Sequence, residues 1–276
     1  MKKKPEFLNL EEIHSALLGI LVEFDRVCRE NDLHYSLAYG SLLGAIRHKG
    51  FIPWDDDIDV SMPRPDYEKF YELIKSGKVT LNKHFLLAED RGKKAEYPFL
   101  KLMDDRYSIK SRTHIEVPYL FLDIFPLDGY PDLPEKKKKH IHRKILVLNF
   151  AVDMTRWYVV DHWWCYMLRV ICFWWYLAFL IWGRKNIIKK INKLVQKYPY
   201  ETHKESDCTC WGYTSDPMPK TAYESYCEAE FAGHSFMVLS DWDGFLKERY
   251  GDYMTPPPPQ KRMTHSMKVL RNQTEE

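Results

Sequence analysis

Cysteine, net charge and long apolar runs are all scarce in this chain, and each scarcity excludes something. The six cysteines (Cys28, Cys165, Cys172, Cys208, Cys210 and Cys227) are too sparse over 276 residues for a disulfide framework. Cys208 and Cys210, even taken with Cys227 and His203, lack the spacing of the common zinc modules, so free thiols in a reduced, cytoplasmic protein are the expectation. A formal charge of +2 argues against wholesale nucleic-acid binding, which usually needs a strongly basic face. The opening MKKKPEFLNLEE carries basic residues with no apolar run behind them, unlike a secretory signal. The uncharged run Val170–Trp182 is 13 residues long, short of the roughly 20 that a spanning helix requires. No internal repeat is visible.

What is present is a core. Hydrophobic residues make up 45% of the chain and charged residues 29%, as in a globular protein of one large domain or two small ones. Asn9–Glu30 has apolar residues at three- and four-residue spacing (Leu10, Ile13, Leu17, Leu21, Phe24, Cys28), and Asn9 with Glu12 forms a capping-box pattern. Pro63–Ile74 and Trp242–Tyr250 also read as helices, the latter ending at Gly251. Phe85–Ala88, Phe99–Met103, Tyr119–Phe125 and Phe236–Leu239 read as strands, and Asp128-Gly129 as a turn. As a solvated tail residues 260–276 would be disordered, and the final residues are expected to be.

The stretch Tyr39–Val60, YGSLLGAIRHKGFIPWDDDIDV, carries the chemistry. A short β-type run ends at Gly40, and Ser41–His48 has helical spacing. That places free backbone amides and the positive end of a helix at Gly40-Ser41, a phosphate-binding arrangement when it is not simply a turn. Four aspartates (Asp55, Asp56, Asp57 and Asp59) then fall within five residues. Asp57-Ile58-Asp59-Val60 alternates with period two, so a strand there would put Asp57 and Asp59 on one face and Ile58 and Val60 on the core side. Like charges that close repel unless a cation offsets them, which points to a site for a hard divalent metal. Lys101 lies between Leu100 and Leu102, either an exposed strand lysine or a phosphate contact. Asp123, inside the apolar run YLFLDIF, either bonds a turn or completes the metal site as a third carboxylate or general base.

Residues 133–197 change character. Lys136–Lys139 opens the region, an aromatic stretch follows, and Arg184, Lys185, Lys189, Lys190 and Lys193 close it. Six of the nine tryptophans lie between Trp157 and Trp182. Tryptophan with basic flanks suits helices lying in a membrane interface; the alternative is a helical subdomain with an aromatic core.

Three blocks together resemble the LicD family: GSLLGAIRHKGFIPWDDDIDV at 40–60, FLDIFPLDG at 121–129 and YGDYMTPPPPQKRMTH at 250–265. The resemblance implies an α+β fold of nucleotidyltransferase type, a mixed sheet flanked by helices, here with an aromatic-rich helical insertion. The expected division is a catalytic core at 1–132, the insertion at 133–197, and a C-terminal segment at 198–276 that completes the active site. Members of the family move phosphocholine or related phospho-groups onto glycans, and eukaryotic relatives such as fukutin transfer ribitol phosphate. The resemblance therefore implies a CDP-linked donor (CDP-choline, CDP-glycerol or CDP-ribitol), a glycan or glycolipid acceptor, and Mg²⁺ or Mn²⁺. Gly40 and Ser41 would hold donor phosphates, and Asp57 and Asp59 would hold metal. Asp123 would be the third carboxylate, and Arg262 and His265 would be active-site contacts. Arg47, Lys101 and Arg262 are, beside the resemblance, the candidates to contact substrate and offset charge on the phosphates. A peripheral location at the inner membrane face is the accompanying expectation. The rival expectations are another metal-dependent nucleotidyltransferase or phosphodiesterase, and a non-catalytic partner in glycan assembly.

Overall fold

Asn9 starts the first helix, α1 (Leu10–Glu30), with the expected reciprocal cap: its side chain accepts from the Glu12 amide at 3.0 Å, and the Glu12 carboxylate accepts from the Asn9 amide at 2.9 Å. The chain is described here from a computed structural model, which covers residues 7–92, 95–110, 118–154, 167, 170–211, 217–262, 264 and 267–272. One face of α1 buries Leu17, Ile20, Leu21, Phe24 and Val27 against the strands β4 (Leu100–Ile109) and β5 (Tyr119–Gly129), with β1 (Ser36–Leu37), β2 (Asp59–Pro63) and β3 (Phe85–Ala88) preceding them in the chain. Burial of each such side chain contributes roughly 1.5–3 kcal/mol.

The sheet runs β1-β2-β5-β4-β10, where β10 is Val269–Arg271. The short strands β6 (Glu205–Asp207) and β7 (Met218–Pro219) extend it from the end of β5, and β3 pairs with β4. β2 and β5 run parallel, whereas their neighbours pair antiparallel, so the sheet is mixed and flanked by helices as expected. The helix α2 (Tyr39–His48) connects β1 to the loop before β2, and α3 (Arg64–Lys75) leaves β2 directly and packs on β2 and β5. A hairpin of β8 (Tyr226–Phe231) and β9 (His234–Leu239) turns through Ala232 and Gly233, both at positive φ, the geometry that two-residue hairpins favour. It docks on α2, where the Ala232 amide donates to the Lys49 carbonyl at 2.7 Å.

After β5 the chain forms α4 (Glu135–Met154), α5 (Phe173–Trp182) and α6 (Arg184–Val195). Ile145, Ala151 and Val152 of α4 meet Ile187, Ile188, Ile191 and Val195 of α6 in a second, smaller apolar cluster. The chain then returns to the sheet and adds α7 (Trp242–Tyr250), the short helix expected before Gly251.

Three expectations are corrected. The strand after the acidic cluster begins at Asp59 rather than Asp57, because pairing with the Ala38 amide starts at the Asp59 carbonyl, at 3.0 Å. Asp128-Gly129 is not a turn: β5 runs through both residues to pair with β6, and Asp128 is buried in a two-point ion pair with Arg64, at 2.6 and 2.8 Å. Residues 269–271 are not a solvated tail, since β10 pairs with β4 and Val269 is fully buried.

Removing one partner of a buried ion pair leaves an uncompensated charge, at a cost of about 3–5 kcal/mol. Arg64→Met is therefore expected to lower the urea unfolding free energy by about that amount. Arg64→Met with Asp128→Leu should recover most of it, and equal losses in the single and double variants would refute the account.

Candidate active site

The register of three strands builds the site. Asp59 of β2 lies directly beside Asp123 of β5, and Asp123 lies directly beside Lys101 of β4. Residues side by side in adjacent strands project from the same face of a sheet, so the three side chains form a row. The Lys101 ammonium pairs with the Asp123 carboxylate. It also lies over aromatic rings, 3.7 Å from the centre of Phe121, 4.5 Å from Tyr97 and 5.0 Å from Phe99. Lys101 is thus a buried strand lysine held in an aromatic cage and not an exposed one.

The first turn of α2 closes over the β2 end of this row. The Ser41 hydroxyl accepts from the Asp59 amide at 2.8 Å, and the Ser41 amide donates to the Ala38 carbonyl at 2.9 Å. Gly40 is needed for close approach: a Cβ there would sit 2.8 Å from an Asp55 carboxylate oxygen. Tyr39, at the helix start, has φ +46, a backbone position that non-glycine residues adopt at a cost. The structure therefore brings together Gly40, Ser41, Asp55, Asp57, Asp59, Lys101 and Asp123.

The aspartates divide the work. Asp55 faces Gly40, and its carbonyl contacts the His14 ring at 2.7 Å. Asp56 is buried and accepts from the Met267 amide at 2.7 Å and the Thr264 hydroxyl at 3.3 Å. Asp56 therefore ties the C-terminal segment to the acidic loop. Burial first, then Asp57 and Asp123, and more weakly Asp55, push the Asp59 carboxyl well above the usual carboxylate range, and Lys101 pulls the other way.

Tyr250, at the end of α7, was not singled out by sequence reasoning. It is 43% exposed, and its hydroxyl is pushed up to about 12 by burial and by Asp59, Asp55 and Asp57. It opens the third of the blocks that resemble LicD, and no local pattern distinguishes it from the chain's other tyrosines.

Arg47 and Arg262 are engaged beside the row rather than in it. Arg47 donates to the Tyr253 carbonyl at 2.7 Å and to the His48 ring at 3.0 Å, and burial lowers its pKa. Arg262 lies over the Trp54 ring at 4.2 Å and donates to the Pro257 carbonyl. Arg47 thereby ties α2 to the C-terminal part of the chain, and Arg262 packs that part on the loop that leads into the aspartates. His265 lies outside the described residues.

Among the described residues no three His, Cys, Asp or Glu side chains are set around one point to hold a metal ion. The donor set at Asp57 and Asp59 is nonetheless all carboxylate oxygen, the chemistry of Mg²⁺ or Mn²⁺, and the repulsion felt by Asp59 is of the kind a cation relieves. Cys208 and Cys210 are buried free thiols with sulfurs 3.3 Å apart, and Cys227 is an exposed free thiol on β8.

A carboxyl whose folded pKa exceeds its unfolded value of about 3.9 takes up a proton on folding. Its contribution to stability therefore falls as pH rises from the unfolded value through the raised folded one. Asp59→Asn removes that loss, so in metal-free protein the variant should melt higher than wild type at neutral pH. The difference should vanish below about pH 4. A wild type that melts higher at neutral pH in paired thermal scans would contradict the electrostatic account.

Residues 32–159, which include α2, the acidic loop and β5, match the family model "LicD/FKTN/FKRP, nucleotidyltransferase domain". The lipopolysaccharide cholinephosphotransferase LicD of Haemophilus influenzae is 31% identical over 287 aligned residues, covering 94% of this chain and 96% of that protein. An uncharacterized protein of Rickettsia typhi is 28% identical over 81 residues, covering 28% of this chain and 26% of its own. Identity at this level over nearly the whole of both chains, with the strand row and its helix inside the matched domain, shows that the chain belongs to the LicD family.

Proposed function

We propose that this chain is a metal-dependent phosphotransferase that moves phosphocholine, or a related phospho-alcohol, from a CDP-activated donor to a hydroxyl of a cell-envelope glycan. The observation that carries the reading is the Asp59–Asp123–Lys101 row under the first turn of α2, in a chain similar along its length to a lipopolysaccharide cholinephosphotransferase. The acceptor oxygen attacks the donor's β-phosphorus, the bond from that phosphorus to the CMP oxygen breaks, and CMP leaves. In this reading Asp123 would orient the acceptor hydroxyl and take its proton, and its ion pair with Lys101 would fix the carboxylate. The positive start of α2 at Tyr39-Gly40 would receive donor phosphate oxygens, the Ser41 amide being engaged by the Ala38 carbonyl. A divalent cation held by Asp57 and Asp59 would offset phosphate charge. The Asp55 carboxylate, packed on Gly40, shapes the space beside it. A glycolipid acceptor would bring the enzyme to the cytoplasmic face of the membrane as a peripheral protein.

The test is CMP release and phosphate transfer, followed by ³¹P NMR, with lipopolysaccharide and CDP-choline, CDP-glycerol or CDP-ribitol. Asp59→Asn and Asp123→Asn should each lower kcat by about a hundredfold or more while the protein remains folded, and chelation of Mg²⁺ should abolish turnover. Gly40→Ala, which displaces the Asp55 carboxylate, should lower kcat/KM by about tenfold or more. Pyrophosphate release, or donor hydrolysis at the same rate without acceptor, would replace this reading with a nucleotidyltransferase or phosphodiesterase. Failure to bind any of the three donors with Mg²⁺ would leave a non-catalytic role.

A further inference from the structure

The helix α5, FWWYLAFLIW, has no charged residue, and Tyr176 is its one buried side chain. Trp174 is 79% exposed, Trp175 68% and Ile181 86%, and Val170 and Ile171 just before the helix are equally open. Soluble proteins rarely leave an apolar patch of this kind uncovered without using it. Gly183, at φ +80, turns the chain into α6. The isoleucines of α6 point into the small core with α4, so Lys185, Lys189 and Lys193, at four-residue spacing, face outward. With Lys197 they line a groove against Asp90–Gly92. The twelve residues of α6 include five basic side chains and no acidic one.

We propose that α5 and the lysine face of α6 form a docking surface for an anionic phospholipid bilayer. The aromatic side chains of α5 seat at the level of the lipid headgroups, and Lys185, Lys189 and Lys193 lie against lipid phosphates. Two physical arguments select this occupant. No helix among the described residues is long and apolar enough to cross a membrane. The ten residues of α5 extend about 15 Å, half the roughly 30 Å hydrocarbon core, so the helix can lie in the interface but not span it. Tryptophan beside lysine is the composition that the interface of an anionic bilayer favours. A second copy of the chain would instead bring one uniformly basic α6 to an assembly that carries another. The inference rests on exposure and charge alone and holds whether or not the proposed chemistry does.

The test is co-sedimentation of the full chain with phosphatidylcholine vesicles, with or without phosphatidylglycerol, at low and high salt. Binding is expected to the anionic vesicles and to weaken with salt. Trp174→Ser with Trp175→Ser and Ile181→Ser should weaken it at least about tenfold, as should Lys185→Glu with Lys189→Glu and Lys193→Glu. Melting temperatures should be unchanged, because all six side chains are exposed. Quenching of tryptophan fluorescence by brominated lipid serves as a second readout on the unaltered chain, and strong quenching is expected. The proposal is overturned if anionic vesicles neither sediment the protein nor quench it, or if the lysine reversals leave binding intact. It is also overturned if the apolar substitutions abolish a lipid-free dimer while vesicle binding is absent.

Discussion

Three carboxylates crowd the open end of the parallel pair β2–β5, and much of the rest of the structure around the site answers to that crowding. The parallel register puts Asp59 beside Asp123, and the loop before β2 adds Asp57 and Asp55 to the same field. Two unit charges about 4 Å apart interact by roughly 4 kcal/mol at the effective dielectric of a protein surface, so such a group is held together only by compensation. Lys101 supplies part of it. An ammonium is costly to bury alone, and here the Asp123 carboxylate and three aromatic rings replace its water. Asp59 carries the remaining strain: burial and its acidic neighbours raise its pKa, and Lys101 offsets them only in part. A divalent cation at Asp57 and Asp59 would relieve the same repulsion.

The three adjacent aspartates of the loop also show how the site depends on the far end of the chain. Asp55 and Asp57 contribute to the acidic field, whereas Asp56 between them is buried on the Met267 amide and Thr264. Two residues after Met267 the chain reaches β10, which pairs with the strand that carries Lys101. Arg47 on the Tyr253 carbonyl and Arg262 over Trp54 make the same connection at two more points. The C-terminal segment thus fixes the acidic loop through bonds that a loop of aspartates could not form with itself.

Local patterns were legible where local physics decides. The capping box and apolar spacing of α1, the strand β3 and the helix α7 follow from their own residues. The proximity of Gly40-Ser41 to the aspartates was readable from the blocks in which they sit, and Gly40 against Asp55 with Ser41 against Asp59 gives it a physical form. What depended on distant partners was not legible. Asp57 alternates correctly for a strand, yet the paired strand begins at Asp59, which lies beside Asp123 of β5. Asp128-Gly129 has the composition of a turn, but Arg64 neutralises Asp128 and β6 offers a partner strand. The segment 269–271 is too short to be recognised as a strand until β4 lies beside it. Lys101 was undecided between solvent and substrate because its cage is assembled from residues on β5 and on the approach to β4.

The helical insertion leaves and rejoins the core at nearly one point. The Gly129 amide donates to the Tyr198 carbonyl at 2.9 Å, and a Cβ on Gly129 would sit 2.5 Å from the Pro199 carbonyl oxygen, so only glycine lets the two ends of the insertion meet. That neck is the end of β5, the strand that carries Asp123. Asp123 lies six positions before Gly129, about 20 Å along an extended strand. If α5 and α6 rest on a bilayer, the row of charged side chains is therefore joined to that surface through one strand and its glycine neck.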